Sequence, residues 1–124
     1  MELARKKMIL IVEDEKEILY TLKEFLEGEN YIVLTAENGF EAMKLLKNSG
    51  IPDLILLDMK MPVMNGWEFA IEFLANYDHN SPIVVITAAS DAEQRAKDIS
   101  AVGWAEKPFD LEKLLTLVKK YEKK

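Results

Sequence analysis

Glu13 and Asp14 carry carboxylates at the end of one short apolar run, and Asp58 carries another at the end of a second. Thr87 brings a hydroxyl to the end of a third run, and Lys107 an ammonium just after a fourth. Carboxylates in such places can act as nucleophiles, as general acids or bases, or as ligands of a hard divalent cation. A lysine held beside them is a point charge suited to a phosphoryl group. Each has a plainer reading. The run Glu13-Asp14-Glu15 is also a good helix start, because acids complement the helix dipole and Asp is a good N-cap. Asp58 can be a helix cap or a solvated strand end, and Lys107 an exposed loop charge. The choice depends on whether the chain brings these side chains together.

The elements that must do so are legible. Leu54–Leu57, within Asp53–Pro62, is too short for an amphipathic helix and reads as a strand buried on both faces. Met8–Val12 reads as a first, central strand, Tyr31–Ala36 as a second, Pro82–Ile86 as a fourth, and the small-residue stretch Ala101–Ala105 as a fifth. Between them run helical patterns: Ile18, Leu19, Leu22, Phe25 and Leu26 within Glu15–Glu27, ended by Gly28; Phe40, Ala42, Met43, Leu45 and Leu46 after Asn38-Gly39; Trp67, Phe69, Ala70, Phe73 and Leu74 after Asn65-Gly66. Asp91–Ile99 is a short polar helix with weak periodicity. The last helix carries Leu111, Leu114, Leu115, Leu117, Val118 and Tyr121 behind an Asp110 cap. Pro62 starts a turn, His79 lies in a polar loop, and Ala88, Ala89 and Ser90 leave room beyond the fourth strand.

Composition narrows the function classes. A chain of 124 residues, 49% hydrophobic and 31% charged, is expected to form one domain with a real core. No apolar run approaches the ~20 residues that span a bilayer, so a cytoplasmic protein without membrane contact is expected. With no Cys there is neither a disulfide nor a thiolate nucleophile, and the single His79 forms no metal cluster. A net charge of −6 argues against nucleic acid as a direct partner and fits a protein that holds a cation or meets basic surfaces.

Five strands alternating with helices predict an α/β domain with a parallel sheet and helices on both faces. Parallel strands have their carboxyl ends on one side, and ligands of such sheets bind in the crevice there. Glu13, Asp14, Asp58, Thr87 and Lys107 therefore converge. Crowded carboxylates repel, and one would take up a proton unless a cation such as Mg²⁺ were bound. Such an ion also takes phosphate oxygens. Thr87 can donate to a phosphoryl oxygen, Lys107 can neutralise one, and Asp58 remains as the nucleophile.

Here the sequence resembles a family. Ile-Leu-Ile-Val-Glu-Asp-Glu at 9–15, Leu-Leu-Asp-Met-Lys-Met-Pro-Val-Met-Asn-Gly-Trp-Glu at 56–68, Pro-Ile-Val-Val-Ile-Thr-Ala at 82–88 and Lys-Pro-Phe at 107–109 are similar to the receiver domain of bacterial and archaeal response regulators. The resemblance covers about residues 7–122 of a single receiver domain, 1–124. It implies a flavodoxin-like (βα)5 fold with strand order 2-1-3-4-5. It further implies that Asp58 is the phospho-acceptor and that Asp14, Asp58 and the main-chain carbonyl of Lys60 hold Mg²⁺ or Mn²⁺, with Glu13 reaching the ion through water. Thr87 becomes a switch hydroxyl, Lys107 the phosphate-pairing lysine before a cis Pro108, and Trp104 the residue at an aromatic switch position. The sequence departs from the family pattern in having Glu13 where Asp is commoner, Trp104 where Tyr or Phe is usual and Val63 where Gly is frequent. The Thr87–Lys107 segment is also about two residues short.

The function so implied is signalling. A histidine kinase or histidine phosphotransfer protein phosphorylates Asp58 in a Mg²⁺-dependent step. A downstream protein then reads the helix 4–strand 5–helix 5 face. The domain is a phospho-acceptor with its own autophosphorylation and autodephosphorylation chemistry rather than a metabolic enzyme. The alternatives are a phosphorylation-independent interaction module, a receiver fragment of a longer regulator, and a phosphatase with an Asp nucleophile. The last wants a second acid two residues after the nucleophile, where Lys60 stands.

Overall fold

A computed structural model describes residues 6–61, 63–78, 80–88, 92–108 and 110–123. Five strands and five helices alternate: β1 (Met8–Val12), α1 (Lys16–Gly28), β2 (Ile32–Ala36), α2 (Gly39–Ser49), β3 (Leu54–Asp58), α3 (Gly66–Tyr77), β4 (Ile83–Thr87), α4 (Ala92–Asp98), β5 (Gly103–Glu106) and α5 (Leu111–Tyr121). The strands form one parallel sheet in the order β2-β1-β3-β4-β5.

The apolar runs divide by parity between two cores, since alternate strand residues face opposite ways. Leu10, Val12, Ile55, Leu57 and Val85 pack with Ala42 and Leu46 of α2, Phe69 and Phe73 of α3 and Ala96 of α4. Ile9, Ile11, Leu54, Leu56, Val84 and Ile86 pack with Leu19, Leu22 and Leu26 of α1 and Leu114, Leu115 and Val118 of α5. Both faces are thus covered, which is why β1, β3 and β4 read as unbroken apolar runs.

The helix starts differ from one another in how they are capped. Asn38 accepts from the Glu41 N–H, Asp110 from Glu112 and Lys113, and Asn65 forms a capping box with Glu68. At α1 the N-cap is Glu15, without any side-chain bond. Asp14 therefore does not serve as the helix cap, which leaves its carboxylate for the crevice. Gly28 is the last residue of α1 rather than the residue after it, and the left-handed turn falls on Asn30 (φ 74°). The fifth strand lies two residues later than its expected start, because Ala101 closes the end of α4 by donating to Ala96 O. The readings of Pro62, His79, Ala89, Ser90, Asp91 and Phe109 fall outside the described residues.

Opposite the strand tips, the sheet is tied to the end of the chain. The buried Asp53 accepts the Met8 N–H at 2.7 Å, its carbonyl accepts the Lys123 N–H, and the Tyr31 hydroxyl donates to Glu122.

Candidate functional site: an acid pocket at the carboxyl edge of the sheet

Register decides the geometry of the pocket. Val12 pairs with Leu57, so the next residue on each strand, Glu13 and Asp58, comes level, and the Glu13 N–H continues the ladder onto Ala36 O at 3.0 Å. Asp58 pairs with Ile86, one residue before Thr87, and Thr87 pairs with Glu106, one residue before Lys107. The Lys107 N–H donates to Thr87 O at 2.8 Å, and the Lys107–Pro108 peptide is cis, as the family resemblance implies.

Carboxylate oxygens of Glu13, Asp14 and Asp58 lie within 4.8 Å of one another. Glu13 is fully buried and Asp58 is 4% exposed, while Asp14 is half-buried at the mouth. The Lys107 ammonium sits 2.5 Å from Glu13 Oε1, 3.8 Å from Asp58 Oδ1 and 4.0 Å from Glu15 Oε1. The other Glu13 oxygen accepts the Glu15 N–H at 3.0 Å. Burial pushes the Glu13 carboxyl up, against the pull of Lys107. Asp58 is pushed up to about 7, first by burial and then by the charge of Glu13, with Lys107 and a hydrogen bond from the Lys60 backbone opposing. One ammonium does not balance this many buried acids. The donor set is all oxygen and carries surplus negative charge, which fits a hard divalent cation.

The remaining expected residues are placed less centrally. Thr87 is buried at the end of β4. Trp104 lies on the edge strand β5 opposite Val85 and is 40% exposed. Lys60 is exposed. Beside Lys107 opens a cavity of about 570 Å³ between α1 and the β5–α5 turn, its wall made largely by Ile18, Leu22, Pro108 and Leu111.

Gly66, which in the sequence merely precedes a helical stripe, shapes the site. As the first residue of α3 it donates to Met59 O, and a Cβ there would stand 2.7 Å from Asp58 O and from Met59 Cα. The helix start is packed straight onto the backbone that carries the central acid. The Asn-x-x-Glu spacing of 65–68 signalled the capping box, but nothing in the sequence signalled the close approach.

Sheet order and acid pocket together define the class: a doubly wound α/β domain that gathers acids and a lysine where such sheets bind phosphorylated or anionic groups. The response regulator receiver domain family matches residues 9–119, and the chain belongs to that family. It is 36% identical over 115 residues to sporulation initiation phosphotransferase F of Bacillus subtilis, covering 91% of each chain. It is 38% identical over 115 residues to the transcriptional regulatory protein PdtaR of Mycobacterium tuberculosis, covering 90% of this chain but only 55% of PdtaR, so it spans about half the length of that relative. Among solved structures it resembles the response regulator TrrA of Thermotoga maritima in complex with Mg²⁺-BeF (38% identity, TM-score 0.81, 93% of this chain and 98% of that one). It also resembles the chemotaxis protein CheY4 of Vibrio cholerae (30% identity, TM-score 0.84, 94% and 99%).

Phosphoryl acceptance in two-component signalling is the function of this family, whose members are phospho-acceptors rather than classical enzymes. Receiver domains bind Mg²⁺ at an acidic pocket and meet histidine kinases or phosphotransfer proteins.

Proposed function

We propose that Asp58 is the residue that accepts the phosphoryl group and that Asp14, Asp58 and the Lys60 carbonyl, with Glu13 behind them, hold the Mg²⁺. The observation that carries this is the position of Asp58: buried at the tip of β3, level with Glu13, and 3.8 Å from the Lys107 ammonium. An Asp58 oxygen attacks the phosphorus of a phosphohistidine. The new P–O bond forms as the P–N bond breaks, and the electron pair returns to the imidazole, which takes up a proton. Bound Mg²⁺ supplies charge neutralisation for the phosphoryl oxygens. Lys107 then shifts from Glu13 toward the phosphoryl group, exchanging one anionic partner for another. Thr87 turns its hydroxyl to a phosphoryl oxygen, and because its carbonyl holds the Lys107 N–H, the two residues move as a linked pair. The same pocket supports phosphorylation from small phosphodonors and slow hydrolysis of the aspartyl phosphate.

The donor protein approaches over the apolar cavity between α1 and the β5–α5 turn, which lies beside Lys107. The downstream partner reads the α4–β5–α5 face, where Trp104 and Val102 are exposed. Trp104 responds to Thr87 along β5. Residues 1–124 act as one receiver domain, and a cytoplasmic location, where such phosphodonors work, belongs to the same reading. Among the described residues no helix is long and apolar enough to cross a membrane.

Incubation with acetyl phosphate and Mg²⁺, followed by intact mass measurement, tests the assignment. The expected result is a gain of one phosphoryl group that is absent in Asp58→Asn and absent with EDTA. No gain in the wild type overturns it in favour of a phosphorylation-independent interaction module.

A further inference from the structure

The connection between β3 and α3 is gripped at three points. The Lys60 N–H donates to the Asp58 carboxylate. The Gly66 N–H closes onto Met59 O at 3.1 Å, and the Gly39 N–H of α2 donates to Met64 O at 3.0 Å. The third grip comes from a different helix. The first N–H groups of a helix have no partner within it. Here Asn38 accepts the Glu41 N–H, Ala42 begins the helical ladder by donating to Asn38 O, and the Gly39 N–H goes outside the helix to Met64. The approach is close: a Cβ on Gly39 would stand 2.7 Å from Met64 Cγ, 2.9 Å from its Sδ and 3.0 Å from its carbonyl oxygen. Met61 and Met64 pack against the core that α2 and α3 share. Just before Met64, Val63 holds φ 68°. A β-branched residue stays in that region only where its surroundings fix it.

Lys60 lies within this connection, and its carbonyl is the main-chain ligand assigned to Mg²⁺ above. A carbonyl serves such an ion well only if its backbone is held, because Mg²⁺ demands near-ideal octahedral geometry. We propose that Gly39 and Met64 are positioning residues for the metal site: the first N–H of α2 fixes the β3–α3 connection and thereby sets the place of the Lys60 carbonyl. The inference rests on that carbonyl being a ligand. Glycine stands at 39 because a side chain there would push Met64 off the bond.

The test separates the N–H from the space beside it. Proline suits the first position of a helix, and the extended Asn38 before it (φ −161°, ψ 173°) is compatible with a following proline. Gly39→Pro therefore keeps α2 but deletes the donor, whereas Gly39→Ala keeps the donor. Both are made in the full chain carrying Met64→Ala, which removes the Cγ and Sδ that either Cβ would meet. Calorimetric titration with Mg²⁺ should give a dissociation constant about fivefold weaker for the Pro variant than for the Ala variant. In ¹⁵N spectra of the metal-free domain, the Lys60 and Met61 amides should move further in the Pro variant. Leu46→Val, which loosens α2 at its buried face, should lower stability in urea and leave the Mg²⁺ affinity unchanged. Equal affinities in the Pro and Ala variants, or a loss in Leu46→Val as large as in the Pro variant, overturn the inference and leave the metal assignment standing. A wild type that takes up no Mg²⁺, or whose uptake survives Asp58→Asn unchanged, overturns that assignment and this inference with it.

Discussion

Lys107 is paired with Glu13, not with Asp58: its ammonium lies 2.5 Å from the Glu13 carboxylate and 3.8 Å from that of Asp58. Glu13 is one methylene longer than an aspartate, and that length helps a residue at the end of β1 reach the lysine beyond β5. Without a cation, Lys107 is the positive side chain within 4.0 Å of both Glu13 and Asp58. Removing one member of a buried pair leaves the other uncompensated.

Lys107→Ala should therefore destabilise the metal-free domain by about 3 kcal/mol in urea unfolding. Saturating Mg²⁺ should recover much of that loss, since a cation restores the missing charge. A variant as stable as the wild type in EDTA would contradict the pairing.

The pH dependence follows from Asp58. Its carboxyl is pushed up to about 7 from 3.8 in the metal-free domain, chiefly by burial and then by Glu13. Between these values the folded state holds a proton that the unfolded chain has released. Stability is therefore present in full below about pH 4 and is lost as pH rises toward about 7. In EDTA, Asp58→Asn should flatten this part of the stability profile and be more stable than the wild type above about pH 8. Mg²⁺ should stabilise the wild type at that pH and the variant much less. Chemical denaturation at a series of pH values measures both effects.

Gly66→Ala should cost about 1–3 kcal/mol, because the added methyl meets backbone that cannot move aside. The same substitution displaces the backbone of Asp58, so the rate of phosphorylation by acetyl phosphate should fall as well. A drop in stability with an unchanged rate would show that the contact does not position the acid.

Val63 is 77% exposed with φ 68°, a left-handed conformation that a β-branched side chain adopts at a cost. Val63→Gly should stabilise the domain by about 1 kcal/mol, with little apolar burial to lose. Thermal or urea unfolding checks this directly.

Lys60 is exposed two residues past Asp58, and its backbone bonds to the Asp58 carboxylate. If its ammonium swings over a phosphoryl group on Asp58, it should hinder attack by water. Lys60→Ala should speed loss of the phosphoryl group severalfold, followed by intact mass after removal of the donor. Equal decay rates would dismiss the idea.

The sequence by itself determined the class of fold and which residue types meet. β1, β3 and β4 are apolar runs buried on both faces, and each ends abruptly on a polar residue, so local pattern was enough to place Glu13, Asp58 and Thr87 at strand ends. Parallel pairing then put those ends on one side. The boundaries of α1 and β5 were harder, because Gly28 and Ala101 carry no strong apolar periodicity and the turns there are set by bonds across them: the Glu29 and Tyr31 N–H groups donate to Leu26 O, and the Ala101 N–H to Ala96 O. What only the tertiary structure decided is which partner each charge takes. Lys107 is ninety-four residues from Glu13 along the chain, and its preference for Glu13 over Asp58 comes from strand register and side-chain length, both fixed by packing. The contact between Gly66 and Asp58 and the bond from Gly39 to Met64 have the same origin: each depends on how closely two separately folded segments approach, a distance that local sequence does not encode.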